Sequence, residues 1–201
     1  MTSAPIAVCI LAGGEATRLP GKLALNVGDV SMLDRVYRNV SPGRPVWLST
    51  KGPLPSPLAS SIDARQVVDR WPQRGPLSGL LSAFSEIRSP WVFAVAGDAP
   101  FVDAALIDRL AASIAPGYEA IVPIHGDDER RIEPLAALYD REAFLREGLP
   151  NLLRGEGALR GVIDRLQTCF VPIDDEHVFE NVNTPADYAK LRDTLGTRVR
   201  P

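Results

Sequence analysis

Seven short apolar runs, each closed by turn-forming residues, recur along the chain: Ile6 to Leu11, Val46 to Leu48, Gln66 to Val68, Trp91 to Ala96, Ala120 to Ile124, Leu135 to Tyr139 and Cys169 to Ile173. They lack the strict apolar and polar alternation of a strand with one wet face. They therefore predict strands covered on both faces, the pattern of a parallel sheet flanked by helices. The intervening segments carry helical spacing. After Ser31, in capping-box spacing to Asp34, the residues Leu33, Val36, Tyr37 and Val40 share one face. Leu77, Leu80, Leu81 and Phe84 make a second stripe, and Leu106, Ile107, Leu110 and Ile114 a third behind Asp103 as cap. A shorter helix is expected from about Asp140 to Glu147, and Thr184, Pro185 and Asp187 supply the N-cap, first turn and dipole partner of the last. Strand and helix alternating in this way imply an α/β fold, a three-layer, doubly wound, mostly parallel sheet. Ligands of such sheets bind beyond the carboxyl ends of the strands. The 201 residues suit one domain spanning 1–201.

Composition removes several function classes. A net charge of −3 gives no uniform basic field, so neither a nucleic acid polymer nor an anionic membrane is expected as a partner. No apolar run approaches the roughly 18 residues needed to cross a bilayer, and the first residues lack the basic segment of a secretory signal, so a cytoplasmic location is expected. Cys9 and Cys169 sit among apolar neighbours and read as buried strand thiols rather than a disulfide. His125 and His177 lie far apart without cysteines at ligand spacing, which argues against zinc and reads each as an ordinary loop or surface residue. The 18 prolines are in excess, and Pro42, Pro45, Pro53, Pro55 and Pro57 crowd the loops around the second strand.

The chemistry concentrates where the strands end. The first runs into Leu11-Ala12-Gly13-Gly14-Glu15-Ala16-Thr17-Arg18-Leu19-Pro20-Gly21-Lys22. Adjacent glycines let backbone N–H groups approach an anion, and Arg18 and Lys22 add cations within reach of the same volume, a combination suited to a triphosphate. Ala16 and Leu23 exclude a Walker A loop, and neither a G-x-G-x-x-G nor a G-x-S-x-G is present. Asp98, in Gly97-Asp98-Ala99-Pro100, ends a central strand where α/β enzymes place a magnesium ligand, while Asp103 is better placed to cap the following helix. Asp69 ends its strand in the same manner, ahead of Gly75-Pro76-Leu77-Ser78-Gly79, where a turn opens a helix N-terminus. Arg70 and Arg74 flank it as candidate anion contacts or as a solvated face. Asn181 and Asn183 alternate before the last helix and point one way; side-by-side amides suit phosphate or pterin edges, or the local turn. The run from Asp127 to Arg131 reads as a solvated turn, with Arg130 or Arg131 a candidate anion contact.

The segment Leu11 to Lys22 resembles the signature loop of nucleotidyltransferases with the nucleotide-diphospho-sugar transferase type of fold. Three further segments, Gly75 to Gly79, Gly97 to Pro100 and Asn181 to Pro185, occur in the order seen in molybdenum cofactor guanylyltransferases of the MobA type, and Glu133 to Tyr139 is similar to a strand of that family. The resemblance covers about residues 6–192. It implies transfer of GMP from MgGTP to the terminal phosphate of the molybdopterin cofactor, with release of pyrophosphate. By position, Leu11, Ala12, Gly13 and Gly14 would contact the nucleotide, Lys22 its phosphates, Asp69 its nucleoside side, and Asp98 the magnesium. Arg18, Lys22 and Asp98 would form the catalytic set, and Gly79, Asn181 and Asn183 the side of the second substrate. Ser49 stands where the family often has an asparagine for guanine, so the choice between GTP and CTP stays open. Transient contact with other molybdenum cofactor biosynthesis proteins or acceptor proteins is also implied. A molybdopterin cytidylyltransferase, a sugar-phosphate nucleotidylyltransferase and a noncatalytic nucleotide-binding homologue are the alternatives.

Overall fold

The computed structural model describes residues 5–13, 18–71, 75–126 and 131–196. In chain order these form β1 (Ile6–Leu11), a small hairpin of β2 (Asn26–Val27) and β3 (Val30–Ser31), α1 (Met32–Val40), β4 (Val46–Thr50), α2 (Ser56–Ser61), β5 (Arg65–Val68), α3 (Gly75–Glu86) and β6 (Trp91–Ala96). There follow α4 (Ala104–Ala111), β7 (Ala120–His125), β8 (Arg131–Ile132), β9 (Ala136–Asp140), α5 (Arg141–Leu153), α6 (Arg160–Ile163), β10 (Thr168–Pro172) and α7 (Pro185–Gly196). The main sheet has the order β10-β7-β9-β6-β1-β4-β5, with β8 added on β7. Pairs β1–β4, β1–β6, β4–β5 and β7–β10 are parallel. β9 runs against both β6 and β7, since the short link from β7 through β8 leaves no room for the helical crossover that a parallel return needs.

Both faces of the sheet are covered, as the apolar runs imply. Val8, Ile10, Phe93 and Val95 pack with Leu33, Val36, Leu106 and Ile107 of α1 and α4. Ala7, Cys9, Val92 and Ala94 face the other way, onto Leu77, Leu80, Leu81 and Phe84 of α3 and Phe144 of α5. The caps fall where the sequence puts them: Ser31 Oγ accepts from Asp34 N at 3.1 Å, and Asp103 Oδ1 from Leu106 N at 3.0 Å. α5 starts after Asp140 but continues well beyond Glu147, through Gly148 and Pro150. Packing explains the extension. A Cβ at Gly148 would lie 2.9 Å from Leu81 Cδ2, so glycine here sets the close approach of α5 to α3. Cys9 is fully buried, and burial pushes its thiol up to about 12. Cys169 is half-buried and, like Cys9, unpaired, on a strand four places away across the sheet.

The parallel strands stand in the spatial order β5-β4-β1-β6, so the chain turns one way from β1 to build β4 and β5 and the other way to build β6. The carboxyl ends of β1 and β6 thus flank a topological switch point, where the connecting loops diverge and leave a crevice.

Candidate active site

A cleft of about 810 Å³ opens at that switch point. It is lined by Leu11, Ala12 and Gly13 leaving β1, by Lys22, by Ser49 to Pro55 after β4, by Asp69, by Gly75, Pro76 and Gly79 of α3, and by Ala96 to Asp98 after β6. Hydrogen bonds from Ala12 N to Ser49 O, 2.8 Å, and from Gly97 N to Leu11 O, 2.9 Å, carry the sheet's pairing into these loops and fix their positions.

Lys22 is the hub. Its ammonium pairs with the Asp98 carboxylate and donates to Asn183 Oδ1 at 2.8 Å. The two charged side chains are only 13% and 15% exposed, so removing either would leave the other charge without its partner away from bulk water. Val182 N donates to Asp98 O at 3.0 Å and pins the segment carrying both asparagines to the end of β6. Asp187 holds that segment from the other side, Oδ2 accepting from Asn183 N at 2.9 Å and from Thr184 N at 2.8 Å, while Thr184 Oγ1 accepts from Asp187 N at 3.2 Å. The Asn183 N–H foremost, with Thr184 and the Arg18 charge adding to it, holds the Asp187 carboxyl below the usual carboxylate range.

Asp69 is buried and its oxygens accept from Ser78 Oγ at 2.7 Å, Trp71 N at 2.9 Å and Ser82 Oγ at 3.3 Å. These bonds tie the start of α3 to the end of β5. Ser49 is buried, and its hydroxyl donates to Gly79 O at 2.9 Å. At Gly79 a Cβ would stand 2.7 Å from Leu11 Cδ2 and 2.8 Å from Ser49 Oγ, so only glycine lets α3 come this close to the strand ends.

The structure thus gathers Leu11, Ala12, Gly13, Lys22, Ser49, Asp69, Gly79, Asp98 and Asn183 around one cleft. Arg18 is exposed and stands outside the lining, its charge reaching Asp187 instead. Gly14, Arg74 and Arg130 lie outside the described residues. Arg70 pairs with Glu86 on the surface at 2.7 Å, and Arg131 with Glu176 at 3.9 Å. The proline-rich loop gains a place: Gly52, Pro53, Leu54 and Pro55, with Leu58 of α2, form one wall of the cleft. Rings that fix φ make a stiff apolar surface there, and the excess of proline was its signal in the sequence. Asp187, read from sequence as a helix-dipole partner, also orients Asn183. His125 requires a correction. It ends β7 and is buried rather than lying on a loop or the surface, because β8 folds back beside it and Phe179 stacks on its ring at 4.8 Å.

Asp98 could hold a divalent ion. Magnesium is commonly bound by one or two carboxylates, with substrate phosphates and water completing its shell, and the Asp98 carboxylate in a cleft with room for a nucleotide fits that donor set. Among the described residues no cluster of three or more His, Cys, Asp or Glu side chains forms a protein cage, and a metal that arrives with a triphosphate needs none.

A second groove, about 670 Å³, adjoins the cleft and shares Gly75, Pro76 and Leu135 with it. Asn181 lines this groove, together with Glu133, Pro134 and the loop from Gly155 to Arg160. The two asparagines therefore serve neighbouring spaces, Asn183 toward Lys22 and Asn181 toward the groove.

Comparison with known proteins is consistent with this layout. Residues 8–169 match the model of a family described as the MobA-like NTP transferase domain. A probable molybdenum cofactor guanylyltransferase of Deinococcus radiodurans is 31% identical over 93% of this chain and 94% of its own. A molybdenum cofactor guanylyltransferase of Burkholderia orbicola is 30% identical over 94% of this chain and 96% of its own. Among solved structures, molybdopterin-guanine dinucleotide biosynthesis protein A of Archaeoglobus fulgidus superposes with a TM-score of 0.80 at 22% identity, over 95% of this chain and 99% of that one.

Proposed function

The chain belongs to the MobA-like NTP transferase family and is a nucleotidyltransferase, and from that premise we propose that it transfers GMP from MgGTP to the terminal phosphate of molybdopterin. The observation that carries this reading is the hydrogen-bonded set Lys22, Asp98 and Asn183, standing where the glycine loop, the end of β6 and the adjoining groove meet.

The chemistry suits such a site. A phosphate monoester is already ionised at pH 7, so its oxygen attacks the α-phosphorus of GTP without a general base. The new P–O bond forms as the bond from the α-phosphorus to the oxygen bridging it to the β-phosphate breaks, and pyrophosphate leaves with that electron pair. What remains for the protein is alignment and charge neutralisation. The backbone at Gly13 lies against Lys51, where a Cβ would stand 3.1 Å from Lys51 N, so glycine lets these two loops pack closely at the cleft. Lys22 exchanges Asp98 for phosphate oxygens when the triphosphate enters, and Asn183 keeps the ammonium aimed into the cleft. Held by Asp98 and the phosphates, magnesium would supply further charge neutralisation for the triphosphate and the departing pyrophosphate. On the proline-rich side of the cleft, the stiff wall of Pro53 and Pro55 supports the nucleoside.

Guanine is the base we assign. The Ser49 hydroxyl is engaged by Gly79 O, which turns its proton away from any base. That engagement keeps CTP as the second reading. A cytoplasmic site of action and transient contacts with cofactor-biosynthesis or acceptor proteins complete the proposal. Among the described residues no helix is long and apolar enough to cross a membrane.

A panel of GTP, CTP, ATP and UTP with magnesium tests the reading. At one hundred times its dissociation constant a ligand stabilises by about 2.7 kcal/mol, which for a chain of this size raises Tm by roughly 5–10 °C. GTP should give the largest rise, and a preference for CTP would overturn the guanylyl assignment.

A further inference from the structure

We propose that Glu133, in the groove beside the cleft, reads the edge of the acceptor's pterin ring that carries N3–H and the 2-amino group. The inference rests on the acceptor named above. It starts from position: the groove shares Gly75, Pro76 and Leu135 with the cleft, so a molecule whose phosphate lies at Lys22 can extend its heterocycle into the groove without leaving the protein. The walls suit a flat ring, being made largely of Pro76, Pro134, Leu135, Ala158 and Leu159. Glu133, which carries a carboxylate, and Asn181, which carries an amide, both line the groove.

A pterin presents two N–H donors side by side on one edge. An ionised carboxylate only accepts, and it can take two parallel N–H bonds with the added strength of its charge. Glu133 is held ready for that. Its N–H donates to Pro123 O at 3.1 Å, and its carboxylate Oε1 bonds to His125 Nε2 at 2.8 Å. The carboxylate cannot donate, so Nε2 carries the proton. His125 is itself fixed, buried at the end of β7 and stacked on Phe179. A buried imidazole that spends its N–H on a side chain lining a groove preorganises that side chain, lowering the entropy lost when a ligand binds. Among the polar side chains of the groove, Arg160 is engaged by Asp164 at 2.9 Å, which leaves Glu133 and Asn181 to read the ring.

The test is Glu133→Gln, which keeps size and one acceptor but replaces the other with a donor. Two measurements are made on wild type and variant: KM for molybdopterin and for GTP in the transfer assay, and binding of 6-hydroxymethylpterin against 6-hydroxymethyllumazine, whose 2-amino group is replaced by oxygen, by fluorescence titration. The expected result is a rise of about tenfold or more in KM for molybdopterin with KM for GTP changed by less than about twofold, and loss of the wild-type preference for the pterin. Acceptor KM within about twofold of wild type, with the pterin preference intact in the variant, overturns the assignment of Glu133. Absence of any guanylylated product from wild-type protein, MgGTP and molybdopterin counts instead against the proposed reaction, and the titration then decides on Glu133 by itself.

Discussion

Replacing Gly79 with alanine sets two known effects against each other. In a helix interior alanine is favoured over glycine by about 1 kcal/mol, and on that ground alone the variant would be more stable. The added methyl, however, would stand 2.7 Å from Leu11 Cδ2 and 2.8 Å from Ser49 Oγ. Carbon contacts are most favourable near 3.5–4.0 Å, so the neighbours must give by about 1 Å. Ser49 has little freedom to do so, being 1% exposed and bonded to Gly79 O. Overpacking of this kind costs about 1–3 kcal/mol, and weakening the Ser49 bond adds about 1 kcal/mol. The balance is a net loss of about 1–3 kcal/mol, or a fall in Tm of roughly 3–9 °C. Because Leu11 and Ser49 both line the cleft, the shift also disturbs the nucleotide, and GTP should bind several-fold more weakly by titration calorimetry. Thermal or urea unfolding of the two proteins in parallel gives the stability difference. A Gly79→Ala protein as stable as wild type or more so, with unchanged GTP affinity, would refute the close approach of α3 to the strand ends.

Asp98→Asn should leave the far-ultraviolet circular dichroism unchanged while removing transfer, and near-normal magnesium-dependent turnover would take Asp98 out of the site. Lys22→Ala should weaken GTP binding more than GDP binding in calorimetric titrations, and equal losses for both would contradict a role at the triphosphate. Asp187→Asn should be less stable than wild type at neutral pH. Because the folded pKa of Asp187 is depressed, its contribution is present above the ordinary carboxylate value near ~3.9 and fades as pH falls through the lower folded value. Melting curves of the two proteins should therefore converge below about pH 4, and a deficit that stays constant down to strongly acid pH would exclude the Asp187 bonds as its source.

Much of the sheet was legible because burial on both faces leaves a direct trace, an apolar run without alternation, and each of the seven runs became a strand within a residue or two at its ends. The helix starts at Ser31, Asp103 and Thr184 were legible for a similar reason, since capping is local chemistry. What escaped depends on partners distant in sequence. The direction of β9 is set by its connection, and the length of α5 by its seat on α3, against the local signals of Gly148 and Pro150. Lys22, Asp98 and Asn183 could each be nominated from its own motif, but their mutual bonds could not. The burial of His125 left no sign, because an imidazole between an apolar run and a turn glycine reads as a loop residue until β8 and Phe179 close over it.

The bond between Lys22 and Asn183 joins residues 161 positions apart. During synthesis, a growing chain complete only through Asp98 already contains the sequences of β1, β4, β5 and β6, the glycine loop and the Lys22 and Asp98 charges. It lacks the amide that steers the ammonium and the Val182 bond that braces Asp98. The substrate-handling end of the molecule is consequently finished by a part made long after its first strand. On the proposed reading, an unfinished polypeptide holds a nucleotide only loosely, and competence for transfer arrives with the segment that carries Val182 and Asn183 rather than accumulating along the way.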